Sequence, residues 1–182
     1  LIFGRPIYRE KIFPCSDDEK VRYQQNLLKR TVPYEITINE HVIHKHRNLI
    51  ELNFETDKSF LSKNNKIKII TDGKEKFRLL FEDIRNAKSY IHIQYYILKK
   101  DGIGKQLFSL LEQKLLEGVD VYILYDDIGS RKLSISSLRQ LTKNNAKIKR
   151  FFKSKFPLIN FRMNYRNHRK IVTIDGNIGY TG

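Results

Sequence analysis

Apolar residues recur along the chain with two different periods, and both become clear from residue 65 onward. The stretch 66–71, KIKIIT, alternates polar and apolar residues and then becomes apolar, which predicts a strand. The next stretch predicts an amphipathic helix, because apolar residues occupy positions i, i+3, i+4 and i+7: Phe77, Leu80, Phe81 and Ile84. A strand followed by a helix therefore opens the regular part of the chain.

The same alternation continues to the end of the chain. Residues 89–98 are rich in Ile and Tyr and predict a buried strand. A second helix, which ends at Gly118, is predicted from one apolar face: Ile103, Leu107, Leu110, Leu111 and Leu115. The remaining predicted elements are three strands and one short helix, in chain order 119–127, helix 131–142, 146–151 and 168–174.

Strands that alternate with helices of this length are typical of βαβ units. The pattern therefore predicts an α/β fold over residues 65–182, with a mainly parallel or mixed sheet flanked by helices on both faces. Residues 1–64 are less regular: a helix is predicted at 16–30, where Ser16 is a suitable N-cap, whereas 31–65 is polar and weakly periodic. We interpret residues 1–64 as an irregular, partly helical N-terminal extension.

Composition adds an expectation about partners. The formal net charge of +15 favours an anionic partner, such as an acidic membrane, a phosphorylated substrate or nucleic acid. The single cysteine, Cys15, excludes an internal disulfide and a cysteine-based zinc site. No apolar run is long enough to cross a bilayer. Because the chain opens on Leu1 and closes on the strand-like IGYTG, we expect a fragment cut from a longer protein at both ends; a membrane segment before Leu1 is compatible with this but is not shown by the sequence.

Positive charge is concentrated in one part of the chain. Residues 128–174 contain thirteen Lys and Arg and no Asp or Glu. Apolar aromatic residues are interleaved with these cations: Phe151, Phe152, Phe156 and Phe161. This pattern favours contact with an anionic bilayer, in which each basic residue contributes about 1 kcal/mol. The alternative is that the phenylalanines belong to the core.

The last predicted strand carries a candidate reaction centre. Side chains alternate along a strand, so His168 and Lys170 share one side, about 7 Å apart. One phosphate group can contact both, with the lysine as a fixed cation and the histidine as a nucleophile or proton carrier. Asp175 follows before Gly176, where a turn is predicted. From spacing alone, an ordinary basic strand that ends in a hairpin turn is an equally good interpretation.

Three other groups of polar residues are candidates of less specific meaning. His41, His44 and His46 have a loosely metal-like spacing, but no carboxylate or cysteine pattern accompanies them, which favours a polar surface segment. Asp126 and Asp127 end a strand, where they either face a ligand or cap the next helix. His92 and Gln94 share one face of their strand, and they are either satisfied within the sheet or line a substrate channel.

The closing residues resemble a known family signature. His168, Lys170, Asp175 and Gly176 match the His-x-Lys-x4-Asp-Gly pattern of the phospholipase D superfamily. Three longer stretches together resemble the bacterial cardiolipin synthases of that superfamily: EDIRNAKSYIHIQYYIL, LYDDIGS and NHRKIVTIDGNIGYTG. Near the start, FGRPIY resembles the segment that follows the membrane helices of that family.

The resemblance implies a metal-independent phosphatidyltransferase that needs no cofactor. In that reaction the His168 imidazole attacks phosphatidylglycerol, and a phosphatidyl-histidine intermediate then reacts with a second phosphatidylglycerol to give cardiolipin. By the same resemblance, Lys170 is the cation beside the phosphate, Asp175 has an orienting role, and the catalytic part lies at the cytoplasmic face of the cell membrane.

The chain departs from the family pattern in having one copy of the motif instead of two. The resemblance implies a partner for this half-site, either a second phospholipase D-like half of the same parent chain or a homodimer mate. We therefore expect the isolated chain to have little or no activity. Two alternatives remain: a nuclease of the same superfamily that acts as a homodimer, and a non-catalytic basic module that binds acidic lipid or nucleic acid.

Overall fold

The computed structural model describes residues 45–57, 59, 65–133, 135–151 and 166–182. These residues fall into two compact units, with the boundary between Ile69 and Ile70. In the first unit, helix α1 (Arg47–Asp57) lies in a stretch that the sequence predicted to be irregular, and an Arg47–Glu51 ion pair of 2.8 Å stabilises one of its faces. The helix predicted at 16–30 lies outside the described residues, and the predicted domain boundary after residue 64 stays a prediction.

The second unit contains the alternating strands and helices. Its elements are α2 (Gly73–Asn86), β1 (Tyr90–Tyr95), α3 (Gly102–Leu116), β2 (Asp120–Asp126), α4 (Ile135–Lys143), β3 (Lys147–Phe151), β4 (Ile171–Ile174) and β5 (Ile178–Thr181). Asp72 and Asp101 cap α2 and α3 by accepting hydrogen bonds from the backbone N–H groups of Glu75 and Gly104. Helix α3 ends beside Gly118, whose φ of 86° suits the residue after a helix C-terminus.

The strands form one mixed sheet in the order β3-β2-β1-β4-β5. Strands β1, β2 and β3 are parallel, whereas β4 is antiparallel to β1 and β5 is antiparallel to β4. The prediction of a mainly parallel or mixed sheet is confirmed. Because β4 runs against β1, the segment that precedes β4 lies at the same edge as the carboxyl ends of β1 and β2.

One hydrophobic core lies between the sheet and its helices. Strand residues alternate between buried and partly exposed, and those of β1 that face the core are Ile91, Ile93 and Tyr95. Helices α2, α3 and α4 all contribute fully or nearly fully buried side chains to this core, including Leu80, Ile84, Leu111 and Leu141. The α/β class with helices flanking the sheet is confirmed. The described helices of this core lie against one face, and helices on the other face stay a prediction.

Two predicted strands differ from the structure. Residues 66–71 form no strand, and Ile67 and Ile69 are each 86% exposed. An alternating pattern makes a strand only when a neighbour pairs with it, and here β4 occupies the place beside β1. The predicted strand 168–174 is shorter than expected: β4 begins at Ile171, and residues 166–170 lead into it.

Candidate active site

Three segments meet at the carboxyl edge of the parallel strands. Residues 96–101 follow β1, residues 127–133 follow β2, and residues 166–170 lead into β4. Ser130 joins the first two, because its hydroxyl donates to the carbonyl of Tyr96 over 3.1 Å and accepts from the N–H of Leu98 over 2.9 Å. Ligands of open α/β sheets gather at this edge, so it is the expected place for a reaction centre.

His168 lies on the third segment with its side chain exposed. Its imidazole stacks on the ring of Tyr96, with centroids 4.3 Å apart and an angle of 13° between the planes. The loop after β2 packs closely behind Tyr96: a Cβ added at Gly129 would lie 2.3 Å from the Tyr96 carbonyl oxygen and 2.9 Å from Cε2 of its ring. The stack therefore restricts the plane of the imidazole and leaves the side chain accessible to a substrate.

Lys170 is also exposed, and it lines a cleft of about 450 Å³ between the sheet edge and the first turns of α2 and α3. The cleft lining is mainly apolar, with Lys76 and Lys99 as further cations. The Lys76 Nζ donates to the hydroxyl of Tyr95 over 3.0 Å. Burial lowers the pKa of Lys76 and raises the pKa of Tyr95 to about 12. His168 is not among the residues that line this cleft.

A buried polar contact anchors the segment that carries His168. The side chain of Asp126 is fully buried. Its Oδ1 accepts from the N–H groups of Ile128 and Gly129, over 3.0 and 2.9 Å, and its Oδ2 accepts from the N–H of Asn167 over 3.2 Å. Asp126 therefore has a structural role, one of the two readings that the sequence left open. Its neighbour Asp127 forms an ion pair of 3.3 Å with Arg150.

Asn167 continues this contact toward β1. Asn167 is buried, with 7% of its surface exposed. Its Oδ1 accepts from Gln94 Nε2 over 2.9 Å and from the N–H of Arg169 over 3.3 Å. Asn167 was not singled out from the sequence; the available signal was an amide side chain directly before the motif histidine. Gln94 thus reaches the site segment, whereas the sequence had left it between the sheet and a substrate channel.

Asp175 lies at the opposite edge of the sheet. It follows β4 with a φ of 52°, and its carboxylate accepts from the backbone N–H groups of Lys88, Ser89 and Tyr90 over 2.8, 2.8 and 2.9 Å. Burial raises the pKa of Asp175, but these bonds outweigh it and the pKa is lowered. Strand β4 lies between the two residues: His168 precedes it and Asp175 follows it. His168 and Lys170 lie on one segment at the carboxyl edge, whereas Asp175 lies at the other end of β4.

His92 is the other histidine of the unit that contains the sheet, and it lies within β1. His92 lies between the rings of Tyr90 and Tyr122, with both centroid distances 4.7 Å. Burial lowers the pKa of His92, and the charge of Asp120 opposes that effect. His46 is exposed, and His41 and His44 lie outside the described residues. Within the described ranges, no group of three or more His, Cys, Asp and Glu side chains is arranged to hold a metal ion.

The carboxyl edge is basic and partly apolar. Six exposed cations lie on its three segments: Lys99, Lys100, Arg131, Lys132, Arg169 and Lys170. In the part of the chain that the structure describes, none of them forms an ion pair with a carboxylate. Ile97 and Ile103 add apolar surface, with 47% and 45% of each exposed. No helix among the described residues has the length and apolarity needed to cross a membrane.

Comparison with known proteins identifies the family to which the chain belongs. Residues 80–182 match the family model described as cardiolipin synthase, PLD-like domain. The chain is 43% identical to the cardiolipin synthase of Listeria monocytogenes and 44% identical to cardiolipin synthase 2 of Staphylococcus epidermidis, each over 185 residues. In both cases the match covers 100% of this chain and 38% of the relative. The chain thus spans less than half the length of these curated relatives.

Two solved structures show partial likeness. The phospholipase D family member Nuc from Salmonella typhimurium is 25% identical with a TM-score of 0.37, and the match covers 54% of this chain and 56% of that one. NucT from Helicobacter pylori is 20% identical with a TM-score of 0.42, and the match covers 56% of this chain and 61% of that one.

Proposed function

The chain belongs to the cardiolipin synthase family with a phospholipase D-like domain, and from this premise we propose that it supplies half of a phosphatidyltransferase active site. The proposed enzyme makes cardiolipin from two phosphatidylglycerol molecules, with His168 as the nucleophile. One observation carries the proposal: an exposed imidazole and an exposed ammonium group lie two residues apart on one segment, at the sheet edge where ligands of such folds bind.

The proposed reaction has two displacements at phosphorus. A ring nitrogen of His168 attacks the phosphorus of phosphatidylglycerol, the P–O bond to the head-group glycerol breaks, and the leaving oxygen takes up a proton. The hydroxyl of a second phosphatidylglycerol then gives up a proton and attacks the same phosphorus. The N–P bond breaks, its electron pair returns to the imidazole, and cardiolipin is released. The covalent intermediate divides one difficult displacement into two easier ones.

Lys170 is proposed to stabilise the charge that builds up on the non-bridging phosphate oxygens. Phosphoryl transfer depends mainly on positioning and on cations beside these oxygens. Lys170 is exposed beside the cleft, and Arg169 and Lys99 add positive charge nearby without a carboxylate partner among the described residues. This surplus of cations favours an anionic substrate over a neutral one.

Asp175 is proposed to act on the fold and not on the substrate. Its carboxylate is occupied by the three N–H groups that lead into β1, at the edge away from His168. Through these bonds it fixes the turn after β4 against the start of β1. We therefore keep Asp175 as a motif residue but assign it a positioning role, which refines the orienting role expected from the sequence.

The proposed site needs a second half. The chain contains one His-x-Lys-x4-Asp motif, and a second group must deliver the protons that the leaving and entering hydroxyls exchange. A second phospholipase D-like half of the same parent chain is the proposed source, and a homodimer mate is the alternative. On this proposal, residues 1–182 alone have little or no transferase activity.

The proposed location is the cytoplasmic face of the cell membrane, with phosphatidylglycerol in an anionic bilayer as the partner. The six exposed cations and the exposed Ile97 and Ile103 at the carboxyl edge support this, because basic and apolar residues together favour an anionic lipid interface. Most of the Phe-rich basic segment expected to contact the bilayer, including Phe152, Phe156 and Phe161, lies outside the described residues.

The proposal is tested with the full-length protein in phosphatidylglycerol vesicles. We expect labelled phosphatidylglycerol to yield cardiolipin and free glycerol, and His168→Ala to abolish both products. His92→Ala, which alters a histidine within β1 and away from the site, should retain them. Cleavage of DNA without cardiolipin formation would replace this proposal with the nuclease alternative. Unchanged function in His168→Ala would favour the non-catalytic basic module.

A further inference from the structure

We propose that Asp126, Asn167 and Gln94 form a clamp that holds His168 in the orientation needed for attack on phosphorus. The inference rests on the function proposed above, and it assigns roles to residues outside the His-Lys-Asp motif. None of the three needs to touch the substrate. They are positioning residues, and their effect is expected on the chemical step.

The two carboxylate oxygens of Asp126 bind different segments of the chain. Oδ1 takes the N–H groups of Ile128 and Gly129 in the loop after β2, whereas Oδ2 takes the N–H of Asn167, 41 residues further along the chain. The carboxylate therefore joins the end of β2 to the segment that carries His168. Because Asp126 is 0% exposed, solvent water does not replace a bond that is lost.

The backbone is held by hydrogen bonds on both sides of His168. The N–H one residue before it belongs to Asn167 and is bound by Asp126. The N–H one residue after it belongs to Arg169 and is bound by Asn167 Oδ1. Gln94 Nε2 donates to that same Oδ1 and ties the segment to β1. The Cα of His168 is thereby positioned from β1 and β2 together.

The imidazole ring of His168 is positioned through its stacking partner. Its stacking partner, Tyr96, is held by the hydroxyl of Ser130 at its carbonyl and by the close approach of Gly129. Gly129 is itself bound to Asp126 through its N–H. The same carboxylate therefore supports the backbone of His168 directly and the ring of His168 through the loop after β2. A displacement of about 1 Å at a nucleophile can lower a rate about 100-fold.

Asp126→Asn in the full-length protein is the sharpest test. The amide keeps one oxygen for Ile128 and Gly129 but presents an NH₂ group to the N–H of Asn167, so only the link to the His168 segment is lost. We expect kcat for cardiolipin formation to fall about 10- to 100-fold, while KM changes less than about threefold. The matched control is Asp72→Asn at the cap of α2, because Asn caps a helix about as well as Asp and kcat should not change.

A second variant protects the test against a folding defect. Asn167→Ala removes the acceptor for Gln94 and Arg169 without placing a donor in the buried site, and it should give the same fall in kcat. Gln94→Leu should have a smaller effect on its own. Added to Asn167→Ala, it should change kcat by less than about twofold, because both substitutions break the same contact.

The outcomes separate this inference from the proposed function. If His168→Ala abolishes activity but folded Asp126→Asn and Asn167→Ala turn over at the wild-type kcat, the clamp is refuted and the proposed nucleophile stands. If His168→Ala retains activity, the proposed function itself fails. A KM increase at unchanged kcat would also contradict the clamp, because it would indicate substrate binding in place of positioning.

Discussion

Two aspartates at opposite edges of the sheet make nearly the same contacts and are expected to have different effects. Asp126 takes three backbone N–H bonds at the carboxyl edge, and Asp175 takes three at the other edge. Asp175 belongs to the motif and lies seven positions from His168 in sequence. Asp126 lies outside the motif, yet it binds the residue next to His168. Distance along the chain is thus a poor guide to which carboxylate serves the site.

The difference between the two edges follows from the direction of β4. Because this strand is antiparallel to β1, its start lies at the site and its end lies far from it. The motif therefore extends from one edge of the sheet to the other. Its histidine and lysine lie at the carboxyl edge, whereas its aspartate and Gly176, with a φ of 69°, form the turn into β5.

Among the substitutions that test this difference between the two ends of β4, removal of the proposed nucleophile should lower activity most. We expect His168→Ala to lower kcat for cardiolipin formation at least about 10³-fold, because among the residues that the structure describes on the three segments of the carboxyl edge no other one carries an imidazole. The assay measures cardiolipin released from labelled phosphatidylglycerol by the full-length protein. Loss of a similar size in His92→Ala would show that the two histidines had been assigned incorrectly.

Gly129→Ala should have the next largest effect. The added Cβ would lie 2.3 Å from the Tyr96 carbonyl oxygen, so Tyr96 must move and the stack on His168 must change. We expect a fall in kcat of about 10- to 100-fold, together with a change in the ¹H NMR shifts of the His168 ring. Gly179→Ala on β5 is the matched control, because nothing lies within 4 Å of its added Cβ. Equal effects of the two substitutions would argue against the importance of the stack.

Asp175→Asn should lower stability and leave the site intact. Asn tolerates the φ of 52° and keeps one acceptor oxygen, but it loses the charge that strengthens the three N–H bonds. We expect the free energy of unfolding to fall by about 1 kcal/mol, since the site is only partly buried, with kcat within about threefold of wild type. Urea unfolding measures the first quantity. A large loss of kcat in fully folded protein would restore Asp175 to the reaction.

The pH dependence of that stability difference should be the smallest effect. Burial of Asp175 raises its pKa, but the three backbone bonds outweigh burial, so the folded pKa lies below the unfolded value of about 3.9. Its contribution is therefore complete above the unfolded pKa and is lost as the pH falls through the folded one. The free energies of unfolding of wild type and Asp175→Asn should converge as the pH falls below the unfolded pKa and through the folded one. A gap that stays constant to the lowest pH would contradict the assigned charge.

Much of the fold could be predicted because local periods match local structure. The apolar stripe of α2 and the Ile- and Tyr-rich β1 formed as expected. The strand predicted at 66–71 was wrong, because no described strand pairs with these residues; β1 pairs instead with β2 and with β4, about 100 residues later in the chain. Which distant strands pair is decided by tertiary structure and cannot be predicted from an alternating pattern alone.

The candidate site also has features that the sequence predicted and contacts that it did not. The sequence predicted that His168 and Lys170 share one side of a strand, but β4 begins at Ile171, so their common side stays a prediction. The contacts of Asp126 and Asn167 could not be predicted, because they join residues 41 positions apart through a backbone N–H, which any residue but proline provides. The destination of Asp175 depended on the direction of β4, which the sequence left undecided between parallel and mixed pairing.

The most direct test of the central claim is to identify the covalent intermediate. The full-length protein is incubated with phosphatidylglycerol, quenched in alkali to preserve a phosphorus–nitrogen bond, and digested for mass spectrometry. We predict a phosphatidyl group, or its deacylated remnant, on the peptide that contains His168, and its absence from His168→Ala. An adduct on another residue, or transfer activity with no adduct on His168 under conditions that trap the intermediate, would contradict the account.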